Sequence, residues 1–137
     1  VRVIKMWHKT TGIVRYYEHY VVAYVDQGIV DFYRSLIPKS KYVTRQRYSA
    51  HVTIVREEKD FPPNKQSFWN KHEGETIQLE YNSVVRNSQA YYWLDVVSKD
   101  IEMIREELGL ENRVYDLEPP VGYAKLFHIT LGNTKNI

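Results

Sequence analysis

Two stretches of alternating character, His51-Val52-Thr53-Ile54 and His128-Ile129-Thr130-Leu131, restrict what this chain can fold into more than any other part of it. Each lies in a run of β-branched and apolar residues that reads as a strand. Side chains alternate between the faces of a strand. His51 and Thr53 therefore share one face, and Val52 and Ile54 the other. The same parity separates His128 and Thr130 from Ile129 and Leu131. Such strands suit a sheet that buries one face in a core and leaves an imidazole and a hydroxyl on the other. One copy is ordinary, because threonine and branched residues are good strand formers. A second copy 77 positions on (51 to 128), in similar surroundings, is not.

The rest of the composition sets outer bounds. At 137 residues the chain is expected to form one domain over 1–137. No apolar run approaches the roughly 18–20 residues that cross a bilayer, and no signal-peptide pattern opens the sequence. A cytoplasmic monomer without membrane contact is the expectation. There is no cysteine, which excludes a disulfide framework and a thiolate metal site and fits a reducing compartment. A net charge of +2 is too small to imply nucleic-acid binding by itself. Twelve tyrosines and three tryptophans are mostly packing residues, with some available as platforms for a stacked base.

Read in order, residues 1–7 form a short strand and Lys9-Thr10-Thr11-Gly12 a turn. Residues 13–25 read as a strand, strongest from His19 to Val25. Asp26 then caps a helix whose apolar positions run from Ile29 to Ile37, ended by Pro38. A basic linker over 39–47 leads to the first His-x-Thr strand over 48–55. Residues 56–74 read as a polar loop, with His72 on the surface. Strands over 76–85 and 91–97 make a hairpin about a turn at Asn87-Ser88. Asp100 is expected to cap a helix over 101–108 that Gly109 stops. A connector over 110–121 precedes the second His-x-Thr strand over 122–132. The class implied is α+β, with helices packed on a curved, mostly antiparallel sheet.

Two imidazoles facing each other across a gap suit in-line displacement at phosphorus. With an ordinary pKa of about 6.5, one ring can be neutral and the other protonated near pH 7. The neutral ring takes a proton from a hydroxyl nucleophile, and the imidazolium protonates the departing oxygen. The two threonine hydroxyls can donate to non-bridging oxygens, where charge builds up. No metal or other cofactor is needed. Two histidines could instead hold Zn²⁺, but catalytic zinc sites usually have three protein ligands, and no third stands at a helix or hairpin spacing. A Gly-x-Ser-x-Gly elbow and a phosphate-cradling Gly-rich loop are both missing. Either histidine alone would be read as a half-buried strand residue; the pair would not.

The two tetrapeptides resemble the double signature of the two-histidine (2H) phosphoesterase superfamily, which includes RNA 2′,3′-cyclic phosphodiesterases. Trp93-Leu94-Asp95-Val96 is similar to that family's strand before its second helix, and Phe127-His128-Ile129-Thr130-Leu131-Gly132 to its second motif. The resemblance implies a bilobal, pseudo-two-fold α+β fold with two antiparallel sheets lining a central cleft and helices outside. It also implies His51 and His128 as the acid/base pair and Thr53 and Thr130 as phosphate holders. Weaker candidates for substrate contact are Arg47, which shares the parity of His51 if the strand begins early, and Tyr48 at the rim. Tyr20 and Tyr24 share a strand face. Tyr123 and Lys125 lie in the entry to the second motif, where Lys125 has the opposite parity to His128. The expected activity is metal-independent cleavage of an RNA-type phosphodiester: a 2′,3′-cyclic phosphate, a 2′,5′-linked oligonucleotide such as 2′,5′-oligoadenylate, or a cyclic nucleotide signal. RNA ends or oligonucleotides would be the partners. The alternative is a non-catalytic RNA- or nucleotide-binding module using the same cleft.

Overall fold

The computed structural model describes residues 6–112 and 118–137. Its strands are β1 (Trp7–Tyr16), β2 (Val21–Tyr24), β3 (Thr44–Arg45), β4 (His51–Val55), β5 (Thr76–Asn82), β6 (Arg86–Ser88), β7 (Tyr91–Val97) and β8 (Phe127–Asn133). The helices are α1 (Gln27–Ser35), a single turn α2 (Lys65–Phe68) and α3 (Lys99–Glu107). Every ladder is antiparallel. The sheet order is β3-β8-β4-β2-β1-β5-β7-β6, and β8 also pairs with β7. That last pairing closes β8, β4, β2, β1, β5 and β7 into a six-stranded ring. The ladders therefore run continuously where two separate sheets were expected.

The ring is assembled from one unit used twice. In the first half, β1 and β2 form a hairpin, α1 follows, and β4 returns beside β2. In the second, β5 pairs with β7, α3 follows, and β8 returns beside β7. The halves join at β1–β5 and β4–β8. Within each His-x-Thr strand the apolar residues do what their parity requires. Val52, Ile54, Ile129 and Leu131 are fully buried, in one cluster with Val14, Leu94 and Val96. Val30 from α1 and Ile101, Ile104 and Leu108 from α3 belong to the same cluster. The helices thus lie on the core side, opposite the histidines. Truncating any of these fully buried leucines or isoleucines to alanine costs about 2–5 kcal/mol.

Several local expectations need correction. The stretch from Lys9 to Gly12 is not a turn but the middle of β1. Thr10 and Gly12 continue the inward parity of Val14 and Tyr16. A Cβ on Gly12 would lie 3.1 Å from Ala23 Cβ and 3.3 Å from Leu79 Cδ2, so the glycine admits two flanking strands at close range. The strand expected over 13–25 is instead two strands, with a turn closed by Tyr17 N–H donating to Tyr20 O at 2.8 Å. Residues 1–5 of the first expected strand lie outside the described residues, as do 113–117 of the connector. Asn87 and Ser88 are paired in β6, and the turn falls at Gln89, whose φ is 54°.

The helix ends are half as expected. Asp26 caps α1 by accepting from Gly28 N–H at 2.8 Å. Ser98, not Asp100, caps α3, its Oγ accepting from Ile101 N–H at 3.1 Å. Asp100 accepts instead from Gln78 N–H at 2.8 Å and ties α3 to β5. His72 is not a free surface residue. It is clamped between Glu75 and Glu107 at 2.7 and 2.8 Å, which binds the 56–74 segment to the end of α3.

Candidate active site

β4 and β8 meet at Val52↔Ile129. Antiparallel pairing about that point sets His51 beside Thr130 and Thr53 beside His128. The outer neighbours extend this into two rows across four strands. One row is Tyr24, His51, Thr130 and Trp93; the other is Val22, Thr53, His128 and Asp95. All eight point away from the core. Each motif's histidine thus sits next to the other motif's threonine, and diagonal neighbours in such a lattice lie about 7–8 Å apart. That spacing spans one phosphoryl group.

The segment before His51 is built as a bulge. Between the pairings Arg45↔Gly132 and Val52↔Ile129, β8 spends two residues (130 and 131) and the other side six (46–51). The surplus arches over the site and carries Arg47, Tyr48 and Ser49. Arg47 and Ser49 therefore reach the site by this arch and not by strand parity, since β4 begins only at His51. The Ser49 carbonyl accepts a hydrogen bond from His51 Nδ1 at 2.7 Å. A carbonyl cannot donate, so Nδ1 must carry the proton, and the neutral ring presents the Nε2 lone pair.

His128 lies on the floor beyond. Its ring is open to solvent on the cleft side, but protein packs around the rest of it. That desolvation, followed by the charge of His51, pushes its pKa below the ordinary histidine value. Asp95 across the strand opposes the shift, and Lys125 and Arg56 add to it. The effect of His51 on His128 fits their diagonal placement on neighbouring strands.

A groove of about 700 Å³ runs along the first motif. Its walls include Tyr20, Tyr24, Arg47, Tyr48, His51, Thr53 and Arg56; His128 and Thr130 adjoin it on the next strand. Tyr24 meets the His51 ring edge-on at 6.4 Å. Its hydroxyl is 2.5 Å from that of Tyr17, and this hydrogen bond, with desolvation, pushes the Tyr24 pKa up to about 12. Tyr17 stacks on Tyr20 at 4.6 Å. The three rings form one aromatic wall, of which the sequence pointed to two members.

Residues 121–126 are irregular, which cancels the parity argument against Lys125, and its charge acts on His128 although it does not line the groove. Lys125 packs over Phe127, and burial and the charges of Arg105 and Arg56 lower its pKa. Tyr123 is not brought to the site. Its hydroxyl donates to Glu80 Oε2 at 3.0 Å and its ring lies under Lys99, in a separate cavity against β5 and the start of α3. Gly122, at φ +96°, turns the chain just before Tyr123. Sequence reasoning also passed over Asp95, Trp93 and Arg56. The register of β7 could not be read locally, and Arg56 lies one residue past the end of the strand.

A family model described as Swiss Army Knife, 2H phosphoesterase domain, matches residues 22–136. No curated protein and no solved structure matches the chain.

Proposed function

The chain belongs to the 2H phosphoesterase family, and from that premise we propose that it is a metal-independent phosphodiesterase acting on RNA-type phosphodiesters. The phosphoesterase class rests on the family. The mechanism and substrate are our reading of the site.

The observation that carries the reading is the alternation of two histidines and two threonines about Val52↔Ile129, with His51 Nδ1 tied to the Ser49 carbonyl. In the first step His51 Nε2 removes the proton of a 2′-hydroxyl or a water, whose oxygen attacks phosphorus. His128 as imidazolium protonates the departing oxygen as the P–O bond breaks. The proton lost by the nucleophile stays on His51, and the one given up by His128 leaves with the alcohol. Thr53 and Thr130 donate to the non-bridging oxygens. An anionic substrate beside His128 favours its charged form and offsets the desolvation that the surrounding protein imposes. The aromatic wall of Tyr20 and Tyr24, with Tyr48 at the rim, is suited to a stacked base. We also infer that the two strand-strand-helix-strand units are the two lobes of a pseudo-two-fold architecture, joined here into one ring.

The test is turnover in EDTA of a panel: a nucleoside 2′,3′-cyclic phosphate, a 2′,5′-linked oligoadenylate, a 3′,5′ RNA, and cyclic di- and trinucleotides. Cleavage of one of these by the parent, lost in His51→Ala and in His128→Ala, supports the reading. Tight binding of a panel member with no cleavage would move the protein to a non-catalytic nucleotide-binding module.

A further inference from the structure

The turn between β1 and β2 carries two rings of the aromatic wall, Tyr17 and Tyr20, and it is held from outside its own hairpin. Two successive turn carbonyls accept from side chains of the α2 segment. Tyr17 O accepts from Trp69 Nε1 at 2.9 Å and Glu18 O from Lys65 Nζ at 2.6 Å. Lys65 also lies over the Trp69 ring at 4.5 Å, and Trp69 meets Tyr16 edge-on at 5.4 Å. The segment around α2 is itself fastened on both sides. Glu73 accepts from Tyr16 N–H of β1 at 3.0 Å, and Asn64 N–H donates to Leu108 O at the end of α3 at 3.1 Å. Water can satisfy the carbonyls of an exposed turn. Here an indole and an ammonium donor take them instead, which fixes the turn and the rings it bears.

What they fix is a stack that ends in the groove. The Tyr17 and Tyr20 rings lie 4.6 Å apart and 16° from parallel. Tyr20 lines the groove together with Tyr24 and His51. The Tyr17 hydroxyl meets that of Tyr24 at 2.5 Å, and Tyr24 is the register partner of His51 on the neighbouring strand.

We propose that Tyr20, backed by Tyr17, is the platform on which the nucleobase of the substrate stacks, and that Trp69 is its positioning residue. This rests on the phosphodiesterase reading and deepens it: the substrate is a nucleotide recognised through its base, not the phosphodiester of a plain sugar or a lipid. Tyr24 is the poorer platform, since its ring is edge-on to His51 and its hydroxyl is tied to Tyr17. Tyr48 is 73% exposed on the arch and must be ordered by whatever it binds. A ring already held in a stack loses little freedom when a base is added to it.

The test needs no turnover. Adenosine 5′-monophosphate and ribose 5-phosphate, which differ only in the base, are titrated by calorimetry into the parent, Tyr20→Ala, Tyr20→Phe, Tyr17→Ala and Trp69→Phe. The parent should bind the adenosine nucleotide about ten-fold or more tighter than ribose 5-phosphate, the size of one base–aromatic stack. Tyr20→Ala should erase that preference and Tyr20→Phe should keep it. Trp69→Phe leaves a ring against Tyr16 but gives Tyr17 O no donor. Trp69→Phe and Tyr17→Ala should each shrink the preference several-fold while ribose 5-phosphate binds as in the parent. A parent without the preference, or a preference that survives in Tyr20→Ala, overturns the platform. Parent-like preference in Trp69→Phe, or equal weakening of both ligands, overturns the positioning role; Tyr17→Ala, at an exposed site, decides for the stack whether or not Trp69→Phe folds. Base-dependent binding that needs Tyr20 in a protein that cleaves nothing in the panel would sink the enzymatic reading and leave this one standing.

Discussion

Asp95 on β7 and His128 on β8 occupy the same register position, side by side on the face opposite the core. The carboxylate is nearly buried and accepts from Trp93 Nε1 at 3.1 Å and Arg86 Nη1 at 3.2 Å. Among the described residues it favours the charged form of His128, against desolvation and the influence of His51, Lys125 and Arg56. The consequence for an acid is direct. Asp95→Asn is expected to lower the His128 pKa further. If His128 must be protonated to act, activity falls as pH rises through that pKa, so the alkaline limb of the kcat/KM profile should move to lower pH. An unmoved limb, with folding intact, would remove His128 from the role of acid.

The two motifs should fail together and in kind. His51→Ala and His128→Ala are each expected to reduce kcat by about 10²-fold or more, as for a lost proton-transfer group. Thr53→Val and Thr130→Val should cost on the order of 10²-fold in kcat. In all four, the melting temperature should change little, because these side chains point away from the core. Nitrogen chemical shifts of the neutral His51 ring should show the proton on Nδ1; a ring protonated on Nε2 would reverse its assignment as base.

His72 gives the fold a pH dependence of its own. Desolvation lowers its pKa, but the hydrogen bonds it donates to Glu107 and then Glu75 outweigh it, and the net shift is upward from 6.5. A group whose pKa is raised on folding binds its proton more tightly in the native state. The stability it contributes is therefore complete below about pH 6.5 and is lost as pH rises through the raised folded value. Glu107, which also pairs with Lys71, is held below the usual carboxylate range, so its own contribution is lost only toward acid. His72→Gln should cost about 1–2 kcal/mol near pH 6 and flatten the decline in urea midpoint between there and mildly alkaline pH.

Gly132, the residue after the second motif, has no room for a side chain. A Cβ there would lie 2.3 Å from the Thr44 carbonyl oxygen and 3.0 Å from Val43 Cγ1. Gly132→Ala must push β3 off the edge of β8, where Arg45 pairs with Gly132. A loss of about 1–3 kcal/mol is expected, read by denaturant unfolding. The arch that carries Arg47 and Tyr48 starts from this pairing, so KM should also rise. An unchanged KM would detach the arch from substrate binding.

What the chain made legible was local. Parity alone assigned the faces of His51, Thr53, His128 and Thr130, and a capping aspartate and a proline bounded α1 correctly. Parity could not say that the two motif strands are neighbours, because β4 and β8 are brought together by a ring that closes across the whole sequence. Lys9 to Gly12 looked like a turn because glycine has two uses, and close packing between β2 and β5 was the one that applied. Asp95 was invisible for the same reason, since its place beside His128 depends on cross-strand register. Tyr123 was misplaced because the bend at Gly122 and the pull of Glu80 act in three dimensions.

The ring's two joints are unequal. β1 and β5 are laced by seven consecutive register pairs, while β4 and β8 touch at one. Each motif strand is bound far more firmly to its own half, β4 to β2 and β8 to β7. The halves therefore resemble the covers of a book, with β1 and β5 as the spine and the histidines at the fore-edge. Any opening about that spine changes the distance from His51 to His128 before it disturbs either strand. The histidine pair stands at the more sparsely laced of the two joints, and on the phosphodiesterase reading a substrate that bridges the two rings would tie the halves together there.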